Sequence, residues 1–340
     1  MDKNKYICQT QSENYISEGI ENHNNRHNSS FPDLYDKVRG VIFGQAIGDA
    51  LGLGTEFMLR KEVLKFYPQG LTSYNQIIQD RHRIRWKQGE WTDDTDMMLC
   101  IADAVVENKD ICFQSIAENF KKWFRGTPMG IGQNTYKVLA IGDYIDNPMK
   151  AANLVWKLSG EKSAANGGLM RTSVVGLWRK NVSYYAENIC KLTHADPRCV
   201  GSCVLLAELI HSFVWRGKEL DSGAIIDIAN RYDKRIEPYL IMAMEAGNIQ
   251  DLNLDDEATM GYTLKTLSVA IWCLYHAESF LDGLLTVVNA GGDADTNAAV
   301  ACSLLGAKYG YKFIPSYYIE NLIGRNLLEN TSNNLYEIIM

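Results

Sequence analysis

The sequence predicts an all-α fold, a single globular domain of many helices, and three observations carry that prediction. Apolar residues recur at helical spacing almost throughout from Asp33 onward, strand-like alternation bounded by turn residues is hard to find, and helix breakers cut the chain into segments of ordinary helix length. Met97, Met98, Ile101, Val105 and Val106 share one helical stripe, and Leu267, Ile271 and Leu274 share another. The breakers are Gly126-Thr127-Pro128, Asn147-Pro148, Asp196-Pro197 and Gly291-Gly292. No repeat or linker divides the chain, and 340 residues of which 46% are hydrophobic are enough for a sizeable core.

The ends read differently from the middle. Residues 1–33 are rich in Asn, Glu, Ser and His with no sustained apolar period, so they are expected to form a flexible polar extension, either a leader without function or a docking arm for a partner. The globular domain is expected over 34–330, with a tail at 331–340. The start, Met1 to Cys8, lacks the apolar region of a signal peptide, and the longest apolar-rich stretch, Val200 to Trp215, is broken by Glu208 and His211. Eight scattered cysteines have neither zinc-ribbon nor redox spacing. The expectation is a cytoplasmic protein with reduced, mostly buried thiols.

A net charge of −7 gives no general attraction to nucleic acid or anionic lipid. Any anionic ligand needs a local device, such as a cation or a helix N-terminus. The first helix, from about Leu34 to Leu51, carries glycines at 40, 44, 48 and 52, a four-residue step that puts them on one face. Each costs a helix ~1 kcal/mol relative to alanine, so the stripe needs a reason. Close approach of a ligand and close packing of a second helix both supply one.

Two acidic clusters stand out. Thr92-Asp93-Asp94-Thr95-Asp96 precedes the amphipathic run from Met97, and Gly291-Gly292-Asp293-Ala294-Asp295-Thr296-Asn297 precedes the helix through Ala298 to Leu305. Helix capping accounts for each locally. If the fold brings them together, four or five carboxylates crowd one place, and only protonation or cations relieve that repulsion. Carboxylate and hydroxyl oxygens without His or Cys suit Mg²⁺, Mn²⁺ or Ca²⁺ rather than Zn²⁺, and a pair of metals is the natural occupancy. The diglycine before Asp293 lets the backbone turn sharply there.

At these residues the chain resembles the ADP-ribosylglycohydrolase family, which includes the dinitrogenase-reductase-activating glycohydrolase and the ADP-ribosyl-acceptor hydrolases. The resemblance runs from about Leu34 to Leu328. It rests on Gly44-Gln45-Ala46-Ile47-Gly48-Asp49-Ala50-Leu51-Gly52 with Glu56-Phe57, Thr92-Asp93-Asp94-Thr95, Gly130-Ile131-Gly132, Asn166-Gly167-Gly168-Leu169-Met170-Arg171, Thr193-His194 and Gly291-Gly292-Asp293-Ala294-Asp295-Thr296. The resemblance implies a binuclear Mg²⁺ or Mn²⁺ centre held by Thr92, Asp93, Asp94, Asp293, Asp295 and Thr296, with Asp293 also serving catalysis. It implies an ADP-ribosylated protein as substrate, Glu56 as the acid beside the scissile bond, and a cleft lined by Gly130, Gly132, Asn166, Gly167, Gly168 and His194.

Two positions depart from the family pattern: Ala294 stands where a polar residue is frequent, and Ala195-Asp196 follow His194 where a second His is common. Arg171 reads either as a phosphate contact or as half of a structural ion pair. His194 reads as a substrate contact or as a hydrogen-bonded histidine near a helix end. Asp49 is expected to support the site from the first helix, and Asp96 to stand behind it or merely to serve as a first-turn acid. Some relatives protect bacteria from an ADP-ribosyltransferase toxin with the help of a terminal extension, which makes residues 1–33 a candidate toxin-binding arm. The linkage cleaved stays open among arginine, serine, O-acetyl ester and nucleic-acid adducts, with arginine the first choice. Two other readings remain beside this one: a phosphatase built on Asp293-Ala294-Asp295, which ordinarily needs an α/β sheet, and a non-catalytic ADP-ribose-binding or toxin-blocking protein on the same fold.

Overall fold

The structure, a computed structural model, describes residues 34–340. The polar extension and its suggested docking role fall on 1–33, outside the described residues. The helices are α1 (Leu34–Gly52), α2 (Arg60–Phe66), α3 (Asp93–Asn108), α4 (Phe113–Arg125), α5 (Gln133–Leu139), α6 (Pro148–Leu158), α7 (Val182–Lys191), α8 (Pro197–His211), α9 (Ser222–Asn230), α10 (Glu237–Glu245), α11 (Thr263–His276), α12 (Phe280–Val288), α13 (Ala294–Tyr309), α14 (Ser316–Glu320) and α15 (Arg325–Ile339). Short 3₁₀ turns join them, and among the described residues two isolated β-bridges are the entire extended pairing. The fold is all-α.

Helices α1 and α13 form the axis. Both are apolar around nearly their whole circumference and both are buried along most of their length, the mark of a helix with neighbours on every side. They run antiparallel, and the glycine stripe explains how closely: a Cβ at Gly40, Gly44, Gly48 or Gly52 would be driven into the backbone carbonyl of Gly306, Cys302, Ala298 or Ala294 in turn. The stripe therefore serves helix-to-helix contact along its full length. It also fixes the site, because pairing Gly52 with Ala294 brings the C-terminal end of α1 against the first turn of α13.

Around this axis, α11 and α12 pack on α13, α15 packs on α1, and α8 packs on α7 and α11. The segment Pro197–Arg216 is long and apolar enough to cross a membrane, but 83% of its apolar window is buried inside the molecule, as expected of a core helix. Cys190, Cys199, Cys203, Cys273 and Cys302 are buried. The domain boundary expected at 330 falls in the middle of α15. Thr331, Ser332, Leu335 and Ile339 on that helix are buried, so residues 331–339 belong to the packed domain and not to a tail. A polar sequence, Glu329-Asn330-Thr331-Ser332-Asn333-Asn334, hides the helical spacing of Leu328, Ser332 and Leu335, in steps of four and three, that makes the contact.

Candidate active site

Three segments meet where α1 ends and where α3 and α13 begin. Helix α3 has Thr92 at its N-cap position, yet Thr92 caps nothing itself. The fully buried Asp49 of α1 does so in its place. One of its carboxylate oxygens accepts from the amide and hydroxyl of Thr92 at 3.0 and 2.9 Å, and the other from those of Thr95 at 3.0 and 2.6 Å. This leaves Asp93 and Asp94 without a capping duty. Asp293 likewise occupies the N-cap position of α13 without making a cap hydrogen bond, its Oδ2 accepting instead from Asn166 Nδ2 at 2.6 Å. Local capping, sufficient for either cluster in the sequence, is not what Asp93, Asp94 and Asp293 do, whereas Asp295 Oδ1 accepts a first-turn amide of α13, that of Thr296, at 2.8 Å.

The two clusters touch. Asp94 Oδ2 accepts hydroxyl contacts from Thr92 at 3.4 Å and from Thr296 at 3.3 Å, the latter 202 residues away in the chain. Glu56 arrives on the loop after α1, where Phe57 adopts a left-handed φ of 59° and its amide donates to Gly292 O at 2.6 Å, while Gly292 N donates to Met58 O at 2.9 Å. Gly291 and Gly292 both have positive φ, and a Cβ on either would collide with the carbonyl of Met58 or Leu254, so the sharp turn expected of the diglycine is present. Through this ladder Glu56, Asp293 and Asp295 each place one carboxylate oxygen within 4.8 Å of the others.

Burial is the main reason that these carboxyls resist ionisation. It raises Asp293 to about 6 and Asp93 to about 7, and holds Asp94 and Asp295 well above the usual carboxylate range, with the neighbouring negative charges adding to each. Among the described residues no ion pair includes Asp49, Asp93, Asp94, Asp293 or Asp295. Asp94 Oδ1 is buried and has no hydrogen-bond partner among the described residues. A set of hard oxygen donors without a basic side chain to balance it, one oxygen left over, fits divalent cations.

The cluster lines a cleft of about 1250 Å³. Of the residues expected there, Glu56, Thr92, Asp93, Asp94, Gly130, Gly132, Asn166, Gly167, His194, Asp293, Asp295 and Thr296 line it. Gly168 does not; it lies behind the wall, where a Cβ would press on Cys190 Sγ and the His194 side chain. At Gly130 a Cβ would come within 2.7 Å of Asp93 Oδ1, so the bare backbone there makes room for the carboxylate. Tyr136, Leu154, Val155 and Leu158 add apolar surface to the lining.

Arg171 fits neither of its two readings: it is fully buried, in no ion pair, and held by Thr193 Oγ1 at 2.6 Å and by the face of Phe120 at 4.4 Å. Asp96 does not line this cleft and accepts from the indoles of Trp91 and Trp123 at 2.9 and 3.1 Å. Sequence reasoning missed His82, whose Nε2 lies 2.6 Å from Glu56 Oε2, and Arg83, which donates to Leu53 O, Gly54 O and Glu56 O and so anchors the Glu56 loop. The one available signal was the basic and aromatic run Arg81-His82-Arg83-Ile84-Arg85-Trp86 in an acidic chain.

Known proteins fit this architecture. The ADP-ribosylglycohydrolase family model matches residues 30–339. The chain is 25% identical over 309 residues to the ADP-ribosylarginine hydrolase Tri1 of Serratia proteamaculans, covering 88% of this chain and 79% of that protein. It is 26% identical over 301 residues to the ADP-ribosyl-[dinitrogen reductase] glycohydrolase of Rhodospirillum rubrum, covering 86% and 92%. A solved structure described as an ADP-ribosylglycohydrolase-related protein complex superimposes with a TM-score of 0.69 at 26% identity, over 91% of this chain and 99% of that one. With that match spanning nearly the whole chain, and with both acidic clusters and the glycine segments facing one cleft, the protein belongs to the ADP-ribosylglycohydrolase family.

Proposed function

We propose that the protein hydrolyses the bond between ADP-ribose and a modified arginine side chain, using divalent cations held by the acidic cluster. The observation that carries this reading is the convergence of Glu56, Asp293 and Asp295 in a cleft that is also lined by glycine segments and by apolar side chains. A ribose suits the carboxylates, a pyrophosphate the glycine segments at 130–132 and 166–167, and an adenine the apolar side chains of the lining. Two relatives, from Serratia proteamaculans and Pseudomonas putida, carry the name ADP-ribosylarginine hydrolase, and a cationic guanidinium suits an acidic mouth.

Thr92, Asp93, Asp94, Asp293, Asp295 and Thr296 would hold two Mg²⁺ or Mn²⁺ ions. When bound, such ions polarise the ribose oxygens and lower the cost of ionising a water. Asn166 holds Asp293 in place through its amide and is itself fixed by the Thr266 hydroxyl, which in turn bonds to Asn297 of α13. Glu56, anchored from behind by Arg83 and oriented by His82, takes a proton from the water that attacks the anomeric carbon, and a proton is returned to the departing guanidine nitrogen as the carbon–nitrogen bond breaks. Asp49 ties α3 to α1, so that Asp93 and Asp94 face the same space as α13.

Peptides carrying ADP-ribose on arginine or on serine, free O-acetyl-ADP-ribose and an ADP-ribosylated oligonucleotide, each assayed with Mg²⁺ and with Mn²⁺, test the proposal. The arginine adduct is expected to turn over fastest, and Glu56→Gln to slow it by at least about a hundredfold. Faster release from another linkage would refute the arginine assignment. Tight binding of ADP-ribose with no release from any substrate would favour the non-catalytic reading.

A further inference from the structure

Behind the glycine wall of the cleft lies a guanidinium that, among the described residues, has no carboxylate partner. Arg171 is fully buried, and its Nη2 donates to Thr193 Oγ1 at 2.6 Å and weakly to Ile189 O at 3.5 Å, while Nη1 meets Met97 Sδ at 3.7 Å. Thr193 Oγ1 is at the same time 2.7 Å from His194 Nδ1. His194 lines the cleft, is 2% exposed, and its Nε2 is buried without a hydrogen-bond partner. That atom faces the gap left by Gly167, where a Cβ would stand 3.2 Å from it and 3.0 Å from Thr135 Oγ1.

Proton counting decides which way this chain of contacts runs. A guanidinium only donates, so Thr193 Oγ1 accepts from Arg171 and keeps one hydrogen to give. His194 Nδ1 is the acceptor within reach of that hydrogen. The reverse arrangement, Nδ1–H donating to Oγ1, would leave the threonine hydrogen with no acceptor among these contacts and put a second donor on an oxygen that already serves a cation. An oxygen polarised by Arg171 is also a better donor to nitrogen.

We propose that Arg171, acting through Thr193, fixes His194 as the Nε2–H tautomer and thereby makes it a neutral hydrogen-bond donor to an acceptor oxygen of the ADP-ribose unit. Arg171 and Thr193 are positioning residues; His194 is the group that touches ligand. Burial, and then the positive charge of Arg171, hold the imidazole well below its usual pKa, so it stays neutral and keeps this single tautomer. The identity of the ligand rests on the proposed function; the tautomer does not.

The test is ¹⁵N nuclear magnetic resonance on protein labelled at histidine, with His194 assigned by loss of its signals in His194→Gln. His211 is an internal reference of the opposite kind, because its Nδ1 lies 2.9 Å from the carbonyl of Trp178 and must donate. Ligand-free wild type is expected to show the Nε2–H tautomer for His194. Thr193→Val is expected to give a tautomer mixture and to weaken ADP-ribose binding about 3- to 10-fold, the range of one neutral hydrogen bond, while Thr193→Ser keeps both. An Nδ1–H signal for His194 in wild type, or an unchanged tautomer and affinity in Thr193→Val, would overturn the relay. A wild-type Nε2–H tautomer that ADP-ribose leaves unperturbed would support the relay and overturn the ligand.

Discussion

Asp293→Asn is expected to lower kcat/KM for an ADP-ribosylated arginine peptide by at least about a thousandfold, equivalent to about 4 kcal/mol of transition-state stabilisation, without unfolding the protein. The side chain loses its charge but keeps its shape, and the new amide oxygen still accepts from Asn166 Nδ2, which donates to Asp293 at 2.6 Å in the native chain. The backbone contact in the first turn of α13, Asn297 N to Asp293 O at 2.9 Å, is untouched. What disappears is one of three carboxylates that converge within 4.8 Å. Removing a buried negative charge from a crowd of like charges relieves repulsion, so in the presence of a chelator the variant is expected to be at least as stable as wild type. Steady-state kinetics and thermal melts on the same preparation check both halves. Full activity, or a large loss of stability in chelator, would contradict the assignment.

The second large effect lies on stability. Gly48→Ala is expected to cost about 3 kcal/mol, although alanine is the better helix former by ~1 kcal/mol. The added methyl has no space: it would sit on the carbonyl of Ala298, with the amide of Ala299 also within 2.9 Å. Backbone cannot rotate aside as a side chain does, so α1 must move away from α13. That movement separates Asp49, one residue further along α1, from the first turn of α13, and activity should fall with stability. Gly142→Ala is the control, since nothing lies within 4 Å of a Cβ there, and it should stay within about 0.5 kcal/mol of wild type. Urea denaturation of the pair measures the difference.

These two substitutions also mark where the sequence was legible. The helical class was plain because period and breakers are local signals, and the glycine stripe was visible for the same reason. Its meaning was not, since a ligand and a helix both demand bare backbone; the partner carbonyls of Gly306, Cys302, Ala298 and Ala294 are some 250 residues away. Thr92 to Asp94 and Asp293 to Thr296 looked like adequate caps until Asp49 was found capping α3 from another helix. Resemblance, not spacing, joined the two clusters and pointed to Glu56. His82 escaped notice because nothing near it in the chain announces a carboxylate 26 positions earlier. Arg171 was judged by its charge, whereas its burial and its hydroxyl partner decide what it does.

The central claim, that the buried carboxylates form a divalent-cation site, is tested most directly by melting temperature against pH, in chelator and in Mg²⁺. Asp293 is raised to about 6, and Asp49 and Asp93 to about 7, so without cations the native state binds more protons than the unfolded chain between about pH 4 and pH 7. The stabilisation from these protons is complete below the unfolded value and is lost as pH rises through the folded ones. The account predicts a melting temperature in chelator that falls from pH 5 to pH 8, and a Mg²⁺-dependent increase that is small at pH 5 and grows across the same interval. At a hundred times the dissociation constant, that increase corresponds to about 2.7 kcal/mol for each site. Superimposable curves with and without Mg²⁺ or Mn²⁺ at pH 8 would contradict it.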